Sequence, residues 1–367
     1  MNFDYLIVGA GFTGCVFARE IAVRLRKRVL IVDRRPYLGG VAYDYHNKDG
    51  ILVHGHGMHV IHTNSKEVFE YLSQFTDWYF TRTKVCVFTR GKLVPFPINI
   101  NTVNLLNGTK LKTRAEALAY FARLGEPIPH PKNAEEMARK RVGKDLFEAV
   151  FRGYTKKWWG IEAAHFDVKL TSGIVLRPDT NDEYQNDTYQ MVPKDGYCRM
   201  FAKMLDHPLI TQELGKDYRD ITKRVKFERM IYTGPIDEYF NHKHGVLPYR
   251  SMRFEHETLN KEFFQPCHQV NYPNDHDYMR TFEFKHVTGQ KHSKTTIIKE
   301  YPQNAGVGME LDYPIPLSSN QKMFEKYKRD SRRVKNVMFV GRLADCKYYT
   351  MGQTVARALT LFKSKLW

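Results

Sequence analysis

The stretch Tyr5-Leu-Ile-Val-Gly-Ala-Gly-Phe-Thr-Gly14 decides the fold of this chain, because an apolar run leads directly into the pattern G-x-G-x-x-G. The three glycines of such a pattern have distinct tasks in a dinucleotide-binding βαβ unit. Gly9 allows a tight turn, Gly11 lets backbone amides approach a pyrophosphate, and Gly14 lets the next helix pack against the strand. The stretch therefore predicts a Rossmann-like cofactor-binding unit at the start of the chain.

The residues that follow complete this unit. Residues 15–25 are long enough for a helix, and the apolar run 29–32 ends in Asp33, the position at which an acidic side chain holds a ribose hydroxyl. The second glycine pair, Gly39-Gly40, follows Arg34 and resembles the extended fingerprint of FAD-dependent enzymes, which favours a flavin over a nicotinamide. On the pattern alone, a glycine-rich turn without a cofactor stays open.

Composition narrows the class of protein. A chain of 367 residues with 42% hydrophobic residues can form two or three domains with sizeable cores. The net charge of +17 favours anionic partners. The basic residues occur in short groups, at 24–28, 139–141 and 326–335, without a zinc-ligand spacing or an RNA-binding signature. We therefore expect solvated helix faces and no nucleic-acid partner.

Cysteine usage and hydropathy predict the compartment. Five widely spaced cysteines without a C-x-x-C motif are typical of the reducing cytoplasm. The sequence has no apolar run of 18 residues or more, so we expect a cytoplasmic protein without membrane insertion.

Local patterns along the chain predict a mixed α/β fold of three parts. Asn64 with Glu67 and Thr113 with Glu116 each predict the start of a capped helix, and 113–125 and 133–155 indicate helical segments. Residues 84–94 indicate a β-hairpin, 225–233 indicates a strand, and 250–301 alternates like antiparallel strands, whereas 167–194 is polar and irregular. The predicted parts are a discontinuous FAD-binding domain (1–78, 195–245 and 330–367), a helical domain (99–170), and an antiparallel sheet or substrate domain (79–98, 171–194 and 246–329).

Two arginines are candidates for charge chemistry. Tyr278, Arg280, Phe282 and Phe284 are predicted to share one face of a strand, so the Arg280 guanidinium needs an anionic partner among aromatic rings. Arg177 lies in the polar region, where sequence alone indicates a surface residue.

Several long segments resemble one family. They are Gly-Tyr-Thr-Lys-Lys-Trp-Trp-Gly (153–160), Asp-Thr-Tyr-Gln (187–190), Tyr-Thr-Gly-Pro-Ile-Asp (232–237), Lys-Glu-Tyr-Pro (299–302) and Gly-Arg-Leu-Ala-x-x-Lys-Tyr-Tyr (341–349). In this order they resemble bacterial UDP-galactopyranose mutase. The resemblance implies a homodimer or higher homo-oligomer that is active when its FAD is reduced, with NAD(P)H or another external reductant. It also implies that flavin N5 forms an adduct with the sugar, the diphosphate leaves and returns, and no net redox change occurs.

The resemblance also implies roles for individual residues. Catalysis would fall to Arg177 and Arg280, which would hold the diphosphate, with His62 and Tyr348. The implied substrate-binding residues are Asn99, Tyr154, Thr155, Trp159, Tyr189, Asn271, Tyr313 and Tyr348. The implied cofactor-binding residues are Gly9, Gly11, Phe12, Thr13, Gly14, Asp33, Arg34, Gly40, His59, Arg342 and Met351. No metal is expected, because carboxylate and cysteine ligands are absent near His59 and His62 in the sequence.

Four positions depart from the family pattern. Val41 stands in place of a usual Asn, His56 in place of Tyr, Gly173 in place of an additional Arg, and Thr350 in place of Asp. Loss of polar partners near the sugar could change which substrate is preferred. Three alternatives therefore stay open: the same chemistry on another nucleotide sugar such as a dTDP-6-deoxyhexose, an FAD-dependent oxidase, and, from charge alone, a nucleic-acid-binding protein.

Overall fold

A computed structural model describes residues 2–306 and 308–366 of the chain. The strands are β1 (Asn2–Val8), β2 (Val29–Asp33), β3 (Asp44–His46), β4 (Leu52–His54), β5 (Ile61–Thr63), β6 (Trp78–Phe80), β7 (Val85–Thr89), β8 (Lys92–Phe96), β9 (Tyr189–Pro193), β10 (Ile210–Leu214), β11 (Lys226–Tyr232), β12 (Tyr249–Leu259), β13 (Gln269–Asn271), β14 (Arg280–Glu283), β15 (Thr295–Asn304), β16 (Tyr313–Pro314) and β17 (Val337–Phe339). The α-helices are α1 (Phe12–Glu20), α2 (Lys66–Ser73), α3 (Ile100–Asn107), α4 (Arg114–Leu124), α5 (Ala134–Leu146), α6 (Gly153–Trp159), α7 (Tyr197–Leu205), α8 (Tyr218–Thr222), α9 (Ile236–Tyr239), α10 (Lys285–Thr288), α11 (Ser318–Ser331) and α12 (Met351–Lys365).

A parallel sheet with strand order β10-β2-β1-β11-β17 confirms the predicted Rossmann-like unit. Its central strands pair in register, with Ile7 opposite Ile31 on one side and Ile231 on the other. All residues of β2 are buried, as expected for a strand of a parallel sheet that is covered on both faces. The strands come from three distant parts of the chain, so the two ends of the sequence contribute to one sheet.

A second sheet has the strand order β16-β12-β15-β14-β13-β7-β8. Its pairs are antiparallel except for β13 and β7, and the predicted hairpin of β7 and β8 is confirmed. The prediction that Tyr278 and Phe284 share a strand with Arg280 is wrong, because β14 spans only Arg280–Glu283 and the chain turns into α10 directly after it.

Helices α3 to α6 form the helical part around their own apolar core, which includes Phe121, Leu146 and Phe147. The predicted capping box of Thr113 and Glu116 is confirmed at the start of α4. The long predicted helix 133–155 is interrupted, because Gly143 has a φ of 74° and a π-helical turn at Phe147–Arg152 separates α5 from α6.

A three-stranded sheet, β5-β9-β6, corrects two further predictions. β9 lies inside the region 167–194 that sequence polarity predicted as irregular, and its residues 190–193 are buried. The helix cap predicted at Asn64 is instead formed by Ser65, whose hydroxyl accepts the Val68 amide. Asn64 bonds the loop before β9 through Asp187 and Thr188.

The three-part division predicted from the sequence stays a proposal, which this arrangement of sheets and helices supports. None of the helices within residues 2–306 and 308–366 is both long and apolar enough to cross a lipid bilayer.

We predict that Gly14→Ala prevents α1 from packing on β1. A Cβ at this position would lie 1.8 Å from the Gly9 carbonyl oxygen, a backbone atom that cannot move aside without moving the turn. The free energy of unfolding should fall by at least about 1–3 kcal/mol, the usual cost of overpacking. Gly173→Ala is the matched control, since its Cβ meets nothing within 4 Å. Equal unfolding midpoints for the two variants in denaturant titrations would contradict this account.

Candidate active site

A cavity of about 590 Å³ runs from the carboxyl edge of the parallel sheet to the face of the seven-stranded sheet and α6. Ligands of open α/β sheets bind at this edge, because the strand ends and helix N-termini converge there. The predicted residues that line the cavity are Gly9, Gly11, Phe12, Thr13, Asp33, Arg34, Gly40, His59, His62, Tyr154, Asn271, Arg280, Tyr313, Arg342, Tyr348 and Met351. The fold thus brings most of the predicted cofactor and substrate residues into one cleft.

The glycine turn between β1 and α1 forms the cofactor end. Gly9 has a φ of 103°, which favours glycine, and a Cβ there would lie 2.0 Å from the Thr233 hydroxyl oxygen. A Cβ on Gly11 would come only within 3.8 Å of the Gly39 carbonyl oxygen, so the backbone at Gly11 is open toward the cavity. α1 has no side-chain cap and no acidic residue in its first turn. Its N-terminus therefore suits a pyrophosphate.

Asp33 has a structural contact in addition to its place in the cavity wall. One carboxylate oxygen accepts the Ala10 amide at 2.8 Å, and the other accepts the Arg35 amide at 2.9 Å. These bonds join the glycine turn to the end of β2. Each oxygen keeps a further lone pair, which a ribose hydroxyl can use.

His59 and His62 stand on the same segment of the cavity wall. The Nδ1 atom of His59 lies 3.0 Å from the Gly57 carbonyl oxygen, and burial lowers the pKa of His59 to about 3, with Arg342 acting in the same direction. His59 is therefore neutral at physiological pH. His62 bonds the Asp187 carboxylate at 2.9 Å. Among the residues that the structure describes, no three His, Cys, Asp or Glu side chains are grouped as metal ligands.

Arg280 and Glu300 form the charged centre of the opposite end. The two residues are directly opposite each other on β14 and β15, and the guanidinium donates to both carboxylate oxygens at 2.9 and 2.7 Å. Their side chains are 11% and 2% exposed, so the ion pair is almost fully desolvated. The outer nitrogens reach the hydroxyls of Tyr154 at 3.4 Å and Tyr313 at 3.5 Å.

The tyrosine hydroxyls beside Arg280 remain protonated. Burial raises the pKa of Tyr154 and of Tyr313 well above the usual value, although the Arg280 charge opposes this rise. Each hydroxyl can therefore donate a hydrogen bond to an anion that enters the cavity.

Six predicted residues are not part of the cavity wall. Gly14 lies on α1 against the Gly9 carbonyl. Asn99 caps α3 and donates to the Asp182 carboxylate at 2.7 Å. Trp159 packs on Phe166, and the Tyr189 ring is stacked on Phe69 with the ring centres 4.3 Å apart. Thr155 is on α6 but does not line the cleft. Arg177 donates to the carbonyl oxygens of Glu183 and Tyr184, so it lies behind Tyr184, which does line the cavity.

Trp158 lines the cavity in place of its predicted neighbour Trp159. The Arg280 guanidinium lies 4.9 Å from the Trp158 ring centre, and the buried indole nitrogen has no hydrogen-bond partner among the described residues. The doublet at 158–159 could not indicate which ring faces inward, because the answer depends on how α6 packs. Other wall residues that the sequence did not indicate are Phe96, Phe151, Tyr184, Gln185, His268, Gln269 and Phe282.

The fold and the cleft define a class: an enzyme that binds a dinucleotide at one end of the cavity and places a buried arginine with tyrosine hydroxyls at the other. Comparison with known proteins identifies the family. A family model described as UDP-galactopyranose mutase matches residues 149–348, and one described as an NAD(P)-binding Rossmann-like domain matches residues 7–75.

Individual relatives agree with these matches. A probable UDP-galactopyranose mutase of Klebsiella pneumoniae is 34% identical over 364 residues, which cover 98% of this chain and 93% of that protein. A dTDP-fucopyranose mutase of Escherichia coli is 31% identical over 363 residues, 96% of each chain. A crystal structure of reduced UDP-galactopyranose mutase superposes with a TM-score of 0.76 at 16% identity and covers 97% of this chain and 94% of that one.

The chain belongs to the UDP-galactopyranose mutase family of isomerases, which confirms the resemblance seen in its sequence. The Rossmann-like domain and the family together imply a flavin cofactor.

A pH dependence of stability follows from Asp312, beside Tyr313. Burial raises the pKa of this carboxyl to about 6 from the usual 3.8, against the opposing attraction of Arg342. The folded protein therefore binds the proton more tightly than the unfolded chain, and stability is lost as pH rises through this window. Asp312→Asn keeps an acceptor for the Met252 amide, which now lies 2.9 Å from the carboxylate.

We expect Asp312→Asn to match the parent protein near pH 4 and to be more stable by up to about 3 kcal/mol near pH 7. Denaturant unfolding across this range measures the difference. A difference that stays constant with pH would show that ionisation of Asp312 is not its source.

Proposed function

We propose that this enzyme interconverts UDP-galactopyranose and UDP-galactofuranose with no net redox change, in the cavity between the glycine turn and Arg280. The observation that carries the proposal is the buried Arg280 with its two tyrosine hydroxyls, at the far end of a cleft that begins at a dinucleotide fold. An arginine and neutral hydroxyls match a diphosphate, which gains negative charge as it leaves the sugar. We further propose a cytoplasmic homodimer formed through the helical part, where Leu105 and Leu118 are exposed.

The residues present fit FAD. Gly9, Gly11 and the start of α1 would hold the pyrophosphate, Asp33 a ribose, and His59 with Arg342 would border the ring system. When bound and reduced by NAD(P)H or another external donor, the flavin would supply a nucleophilic N5 for the exchange of the diphosphate at the anomeric carbon.

The chain's own residues bind and orient. Arg280 keeps its charge at all relevant pH values and would stabilise the departing diphosphate, while Tyr154 and Tyr313 donate hydrogen bonds to the same oxygens. Glu300 fixes the plane of the guanidinium through its two bonds. The rings of Trp158 and Phe282 lie within 5.0 Å of the guanidinium carbon and shield the group from water.

The dependence on reduced flavin tests this function. Oxidised N5 is an electron-poor, imine-type nitrogen and a poor nucleophile, so the purified protein should convert UDP-galactofuranose to UDP-galactopyranose only after reduction by dithionite or NAD(P)H. Separation of the two nucleotide sugars by chromatography measures the rate. Equal rates in both redox states would contradict the flavin nucleophile. Steady oxygen consumption with loss of sugar would contradict the mutase and favour an oxidase.

Arg280→Lys tests the guanidinium with the fold preserved. A lysine keeps the positive charge beside Glu300 but loses the planar fork, whereas Arg280→Ala would leave a buried carboxylate unpaired and risk unfolding. Since a hydrogen bond to a charged group contributes about 1.5–3 kcal/mol, we expect kcat/KM to fall by about tenfold to a hundredfold in Arg280→Lys, with flavin content unchanged.

Arg177→Ala serves as the comparison for this variant. If the Arg177 guanidinium leaves the carbonyls of Glu183 and Tyr184 to hold the diphosphate, its loss costs a similar factor. Near-normal turnover of Arg177→Ala would mean that Arg177 only holds its loop in place. Near-normal turnover of Arg280→Lys would contradict the proposed diphosphate site.

A second candidate substrate is a dTDP-6-deoxyhexose, favoured by the similarity to a dTDP-fucopyranose mutase and by two side chains of the cavity region. The Thr350 hydroxyl is used to cap α12, where it accepts the Gln353 amide. His56 bonds the Tyr37 hydroxyl at 2.8 Å. Thr350 does not supply the negative charge of the missing carboxylate, and the bond to Tyr37 occupies one ring nitrogen of His56.

Thr350→Asp discriminates between the two substrates, because Asp caps a helix as well as Thr and adds only the carboxylate. If the specificity has shifted, the parent protein turns over a dTDP-6-deoxyhexose at a kcat/KM comparable to that for UDP-galactose, and Thr350→Asp favours UDP-galactose. If the parent protein strongly prefers UDP-galactose and Thr350→Asp leaves the ratio of the two kcat/KM values unchanged, the second candidate substrate is excluded.

A further inference from the structure

The most concentrated charge outside the cavity lies on α11 and the turn after it. Six cations form what we call the basic stripe: Lys322, Lys326, Arg329, Arg332, Arg333 and Lys335. All six are exposed. Within residues 2–306 and 308–366, no carboxylate lies within ion-pair distance of any of them, while the neighbouring acids Glu325 and Asp330 are paired with Lys328 and with Lys243 and His244. The positive charge of the basic stripe is therefore not neutralised by carboxylates of the described residues.

The geometry of α11 places these charges on one outward face. Lys322, Lys326 and Arg329 follow the spacing i, i+4, i+7, which puts them side by side over about 10 Å of helix. The opposite face holds Phe324 and Tyr327, which are buried against Ile236 and its neighbours. The helix is anchored by its apolar face and presents the stripe to the surroundings.

Helix stability does not account for the whole stripe. Cations near a helix C-terminus interact favourably with the helix dipole, which can explain Arg329, Arg332 and Arg333. Lys322 and Lys326 lie in the first two-thirds of α11, where this interaction is absent or unfavourable. The first turn has no acidic residue, and the N-cap Leu317 forms no side-chain bond. The helix dipole therefore does not account for the charges at 322 and 326.

The loop beside α11 adds an apolar element. Tyr327 joins this loop to the helix, because its hydroxyl donates to the Gly245 carbonyl at 2.6 Å and accepts the His244 amide at 2.9 Å. At the end of the loop, Val246 is 61% exposed. Exposed cations on α11 and an exposed aliphatic side chain on the loop bonded to this helix match the headgroup boundary of a lipid bilayer. A single-stranded nucleic acid would require aromatic rings for stacking, and the stripe contains none.

We propose that the basic stripe docks this enzyme reversibly on an anionic phospholipid bilayer, without insertion of any helix. Each Lys or Arg near such a surface strengthens binding by about fivefold at physiological salt, so six cations suffice for reversible attachment. Attachment weakens with salt, because the attraction falls off within a Debye length.

The test is co-sedimentation of the flavin-loaded protein with vesicles of phosphatidylcholine alone or mixed with phosphatidylglycerol. The stripe variant carries Lys322→Gln, Lys326→Gln, Arg329→Gln and Arg333→Gln, since Gln keeps the helix propensity of Lys and Arg. The control variant carries Lys48→Gln, Lys194→Gln, Lys203→Gln and Lys291→Gln, which removes the same charge from exposed positions outside the helical part. Thermal unfolding and activity confirm that both variants are folded.

We expect binding to phosphatidylglycerol vesicles at low salt, loss of binding at high salt, and a partition coefficient that falls by at least about tenfold in the stripe variant but not in the control. No binding by the parent protein, or equal loss in both variants, would overturn the proposal. The parent protein and both variants are also tested for retention on duplex DNA, a second kind of polyanion. Stripe-dependent retention on DNA without vesicle binding would mean that the surface recognises nucleic acid instead.

Discussion

The site depends on one buried ion pair, between Arg280 and Glu300. The two residues stand directly opposite each other on adjacent strands, so the pair joins β14 and β15 in register at the end of the cavity far from the glycine turn. A buried pair of this kind contributes little net stability, but removal of one partner is costly. The neighbouring rings of Tyr154 and Trp158 come from α6, and that of Tyr313 comes from β16. With Glu300 on β15, three elements meet around the Arg280 guanidinium. The charge needed for the substrate is thus held by the sheet itself.

The other end of the cavity is formed by the backbone of the glycine turn, with Arg34 and Arg342 in the wall. Gly9 and Gly14 let α1 approach β1, and Asp33 ties the turn to β2. This leaves the backbone amides of the turn as donors for a cofactor. The division suits a reaction in which the cofactor supplies the nucleophile and the protein supplies the charge that receives the leaving group.

Sequence reasoning predicted the parts of this design that depend on local pattern. The glycine spacing, the capping box at Thr113 and the hairpin of β7 and β8 follow from neighbours in the chain, and all are present in the structure. It failed where tertiary packing decides. Burial of β9 between β5 and β6 overrode its polar surroundings, and the packing of α6 decided that Trp158 faces the cavity. The partner of Arg280 lies on another strand and could not be inferred from spacing.

The most direct test of the central claim follows ring form and flavin oxidation state together in one sample. UDP-galactose labelled at the anomeric carbon is incubated without oxygen with protein reduced by a single equivalent of dithionite, and NMR and flavin absorbance are recorded over many turnovers. The account predicts that a furanose signal grows to a constant fraction while the flavin stays reduced. Oxidation of the flavin in proportion to substrate lost, or a reduced and folded enzyme that forms no furanose, would contradict it.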